Sequence, residues 1–153
     1  MFAKLFPQPI DNTYSGSKIA LWLFGLIIFV QMLQSVMVIL NGHMVAQSAD
    51  GIPLENYPAA AAQTILAIFT VSSLRRLIIS LICAVVLFQY RSAVPLMFAV
   101  LGLNYLGGQV IFQFVPILRV GTPPGVVMNL IMFGLTVVGL ALSLWRGGGS
   151  HQI

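Results

Sequence analysis

Between Ala59 and Tyr90 the chain runs for 32 residues without a Gly or a Pro and, apart from Arg75 and Arg76, without a charge. As a helix this stretch is about 48 Å long, against about 30 Å of hydrocarbon in a bilayer. Further apolar runs long enough to cross follow Lys18, Ser92 and Thr122-Pro123. With 59% hydrophobic and 7% charged residues, where soluble domains carry about 25% charged, the 153 residues cannot cover this apolar surface in water. The expected fold is an all-α integral membrane protein: a four-helix transmembrane bundle with a long second helix and an outer loop.

Punctuation residues set the boundaries. Residues 1–17, with Lys4, two prolines and Ser15-Gly16-Ser17, form a polar lead-in ending in a helix N-cap. Within a transmembrane domain over 18–146, spans are expected at about 19–40, 71–90, 93–115 and 125–145. The first is too long for a signal-peptide core of about 7–15 residues and reads as an uncleaved anchor. Asn41-Gly42, Asp50-Gly51, Pro53 and Pro58 mark residues 41–58 as the outer loop. Ser92 and Thr122 are read as caps of the third and fourth spans, with prolines in the first turns. Residues 147–153 form a flexible, Gly-rich tail.

Counting back from Arg91 places Arg75 and Arg76 inside the hydrocarbon but near its far boundary, within snorkelling reach. Residues 59–70 then protrude or lie on the interface. The alternative, a turn at the arginines and hence five spans, needs a reversal where no breaker stands. Lys4, Lys18, Arg91 and Arg146 fall on one side and Arg119 on the other, so both termini are expected in the cytoplasm of a multi-pass cell-membrane protein, an inner-membrane one if the source is bacterial. The scattered basic residues orient the chain and do not suggest nucleic acid.

Arg75, Arg76 and Arg119 share the outer side with Asp50 and Glu55. Two readings follow: a site for an anion or a lipid headgroup, or arginines that pair with the two acids and with lipid phosphate to pin the loop. Along the spans, Gln31, Gln34 and Ser35 make one polar face, and Tyr105, Gln109 and Gln113 another. Ser72 and Ser80 flank Arg76 at four-residue spacing, and Asn129 and Thr136 repeat at seven. These are read as interhelical contacts, with a polar pathway as the sharper alternative.

Chemistry finds little purchase. His43 and His151 fall on opposite sides of the bilayer, Cys83 stands alone, and the spans contain no carboxylate, so no catalytic residue, metal or cofactor is expected. The leading expectation is a non-catalytic component of a membrane assembly, an accessory or structural subunit or a self-associating one, whose partners are the bilayer and another membrane protein or a second copy. The alternatives are a small oligomeric transporter or channel with an outer anion site, and a membrane enzyme acting on lipid through His43, Asp50 or Glu55.

Overall fold

A computed structural model describes residues 10–117 and 119–145. Lys4, Arg146 and the 147–153 tail, to which the sequence assigns roles, lie outside the described residues. Among the described residues, four α-helices make up the fold: α1 (Lys18–Ser48), α2 (Ala59–Gln89), α3 (Val94–Phe114) and α4 (Pro124–Leu144). Each is long and apolar enough to cross a membrane, and Trp22, Phe29, Leu33, Leu103 and Phe114 are exposed on their surfaces. Side chains of this size in such numbers suit contact with lipid rather than water. The chain is an all-helical membrane protein.

The element boundaries correct two expectations. First, α1 does not stop at residue 40: it continues to Ser48, and the connection to α2 is 49–58, with a short 3₁₀ turn at Leu54–Asn56. The breaker signal at Asn41 survives as one non-helical residue (φ −132°, ψ 42°) inside the helix. Helix beyond it persists because Ala46 packs with Ile52 and Leu54 against Ala62, Ile65, Leu66 and Phe69. The long second helix, by contrast, is as expected: 59–89 is continuous, with no turn at the arginines. Second, the caps shift. Helix α4 starts after Pro123, and Ser92 lies in a 3₁₀ turn where its hydroxyl donates to the Asp11 carbonyl (2.8 Å) and accepts from the Asp11 N–H (3.0 Å). Ser17 does cap α1, accepting from the Ile19 N–H at 3.2 Å.

Helices α1 and α2 form the most extensive pair, α1 also packs on α4, and α4 on α3, whereas α2 and α3 meet sparsely. The bundle is therefore open between α2 and α3. Its core is built from Phe24, Ile27, Cys83, Val94, Phe98, Leu101 and Met132. Phe24 and Phe98 meet at 4.8 Å between ring centroids, with planes tilted by 57°. Gly139 lies so close under the Phe98 ring that no side chain fits there. In lipid, helices gain nothing by hiding apolar surface from one another, so close packing of this kind carries the association.

The described ends of the chain meet at one end of the bundle, where the Ser17 N–H bonds the Leu142 carbonyl (3.4 Å). At the other end, here the loop end, the Gly125 N–H bonds the Ala49 carbonyl (2.8 Å) and the Val120 N–H that of Gly51 (2.9 Å). Helix α1, with 31 residues, thus reaches both ends of α4, which has 21. The difference of about 15 Å requires inclination or a bend, and the break at Asn41 supplies a bend.

Candidate functional site at the loop end

Polar groups inside the bundle occupy two levels. In the middle, the Gln31 amide donates to the Tyr105 hydroxyl (3.1 Å) and accepts from the Ser80 hydroxyl (3.2 Å), joining α1, α2 and α3 through one buried side chain. Interhelical hydrogen bonds in membranes average about 0.6 kcal/mol, so this pair contributes on the order of 1 kcal/mol while fixing register. Gln34 is half-buried. Four residues on from Gln31, and level with Arg76 four residues back from Ser80, the Ser35 hydroxyl is buried without a hydrogen-bond partner. Thr136 is buried and donates to the Met132 carbonyl at 2.7 Å.

Nearer the loop end, three charged side chains from three parts of the chain act on one another electrostatically. Asp50 follows α1, Arg76 lies half-buried on α2, and Arg119 sits in the connection before α4. Burial pushes the Asp50 carboxyl above its ordinary value, and the charges of Arg119 and, less strongly, Arg76 draw it back. The Arg119 guanidinium lies 5.5 Å from the centre of the Phe112 ring, within cation–π range, and its Nε is buried without a partner. A cleft of about 230 Å³ opens beside it, lined by Gln109, Phe112, Pro116, Val126 and Asn129.

Other sequence candidates stand apart. Arg75 is exposed, roughly 100° around the helix from Arg76. Glu55 is exposed and accepts from the Gln47 amide (3.3 Å). Ser72 is exposed and donates to its own helix at Ile68 (2.8 Å), whereas Ser73, which sequence spacing passed over, is buried. Gln113 is exposed and Gln109 faces the cleft from an exposed position, so the Tyr105–Gln109–Gln113 face joins the bundle at Tyr105. His43 is exposed, and among the described residues no group of His, Cys, Asp and Glu could hold a metal ion.

The raised Asp50 pKa has a signed consequence. The folded chain holds the Asp50 proton to higher pH than an unfolded one, so this residue favours folding most at low pH, and the contribution is lost as pH rises through the raised value. Asp50→Asn is therefore expected to flatten the fall in stability as pH rises above the ordinary carboxylate range of about 4. Thermal unfolding of both chains in detergent across that rise checks it; identical profiles would show that Asp50 titrates normally.

Compared with known protein families, curated proteins and solved structures, the chain matches none. What fold and site define is a class, a four-helix membrane protein with a charged loop end.

Proposed function

We propose that the chain is a non-catalytic component of a membrane assembly, an accessory or self-associating subunit, joined to its partner through the loop-end half of α3. The observation that supports this is the state of residues 103–117. Apart from Tyr105, almost every described side chain in this stretch is exposed, including the Asn104 amide. Asn104, Gly107, Gly108 and Ile111 follow the i, i+3, i+4, i+7 pattern of one helix face, and nothing lies within 4 Å of where a side chain on either glycine would start. An amide in hydrocarbon lacks partners, and small residues let a second helix come close enough to supply them. The Gly139 and Ser143 pair of α4 is differently placed, already buried within the monomer.

The test uses Cys83→Ala chains carrying single cysteines at Asn104 or Ile111, crosslinked in native membranes, with mass spectrometry identifying the product. A crosslink to a second copy or to one stoichiometric membrane protein, abolished by Gly107→Leu, is expected. Wild-type chains that remain single and uncrosslinked would sink the reading. By the charge asymmetry of its connections, the loop end faces away from the cytoplasm.

A further inference from the structure

We propose that the cleft beside Arg119 is a binding site for the phosphate of an anionic phospholipid headgroup. The argument begins with charge. Arg76 and Arg119 both act electrostatically on one carboxylate, Asp50, so the cations outnumber the acid that they share. A half-buried cation is costly unless an anion meets it.

Hydrogen bonding points the same way. The Arg119 Nε–H is buried and unused. Gln109 and Asn129 bring amides to the cleft from α3 and α4. A phosphate diester offers acceptors only, which suits guanidinium and amide donors.

Shape and position favour lipid over a free solute. At about 230 Å³ the cleft is smaller than the roughly 300–1,000 Å³ of pockets that enclose a whole organic ligand, so it fits a headgroup whose tails lie elsewhere. Phe112, Pro116 and Val126 supply an apolar wall. Ile117, which also lines the cleft and is exposed, carries that wall outward, where acyl chains can lie.

The full chain would be reconstituted in nanodiscs of phosphatidylcholine with phosphatidylglycerol, and the lipid retained after extraction counted by native mass spectrometry. Wild type is expected to retain phosphatidylglycerol preferentially. Arg119→Gln should lower that retention about tenfold, the scale of one charge-assisted contact. Arg119→Lys should fall between, keeping charge but not the fork, and Arg91→Gln, at the opposite end, should match wild type. Should Arg119→Gln fail to fold, Asn129→Leu tests the same cleft and should lower retention several-fold. No preference over phosphatidylcholine, or retention unchanged in Arg119→Gln or in Asn129→Leu, overturns the proposal. Displacement of the lipid by millimolar inorganic phosphate also overturns it, assigning the cleft to a free anion.

Discussion

Gly139→Leu is expected to prevent the bundle from assembling, and Gly139→Ala to cost about 1–3 kcal/mol, the range for forcing a methyl group into a filled core. A β-carbon at this position would overlap the Phe98 ring. That ring cannot swing away, because it is fully buried and its other side meets Phe24. The contact joins α4 to α3 and, through Phe24, to α1, so its loss loosens three helices together. The measurement is unfolding in mixed micelles, paired with a rescue: Phe98→Leu should restore much of the stability lost in Gly139→Ala. Gly134→Ala serves as the control, since open space surrounds that position and no change is expected. Equal losses at both glycines would mean that helix flexibility, not the ring contact, sets the requirement.

Gly125→Val should undock the loop end while leaving the spans folded. A side chain here would start 2.7 Å from both the Ala49 carbonyl oxygen and an Asp50 carboxylate oxygen. The first of these is backbone and also accepts the Gly125 N–H, so relief requires the 49–51 segment to move away from α4. The neighbouring bond from Val120 to Gly51 would go with it. An opening cost of about 2 kcal/mol would raise hydrogen exchange roughly thirtyfold at the Val120 amide and at the amide of the substituted position. Asp50 would no longer face Arg119, so retention of anionic lipid should change in the same variant. Exchange indistinguishable from wild type would show that the connection tolerates the side chain and that the charges converge by other means.

The sequence carried the four spans because length and hydropathy depend on composition alone, and Ser92, Pro116 and Pro123-Pro124 interrupt the pattern near the true breaks. It misjudged the end of α1 because Asn41-Gly42 is a local breaker, whereas the helix beyond it is held by Ala46 against distant Ile65 and Leu66. Which of two adjacent residues turns inward was also beyond its reach. Ser73 rather than Ser72, and Arg76 rather than Arg75, face the bundle because α1 packs on that side of α2. In a helix that is apolar all round, periodicity does not mark the inner face. That Asp50, Arg76 and Arg119 share one end was legible as sidedness, but the cleft depends on how α3, its connection and α4 meet.

The pairing of α1 with α2 also orders events in time. These two helices are neighbours in the chain and share their register at Gly25 with Leu87, at Gln31 with Ser80 and at Gly42 with Thr70. A hairpin of this kind can close in the bilayer before the second half of the chain has been synthesised. The Gln31 amide then has one partner, Ser80, and waits for Tyr105 to arrive with α3. Asp11 likewise waits for Ser92. Until α4 emerges with Gly139, the Phe98 ring has no floor, and the half-made protein is a hairpin with a loosely held third helix. Such an intermediate is the form in which another membrane helix could pair with the exposed half of α3 before the bundle is complete.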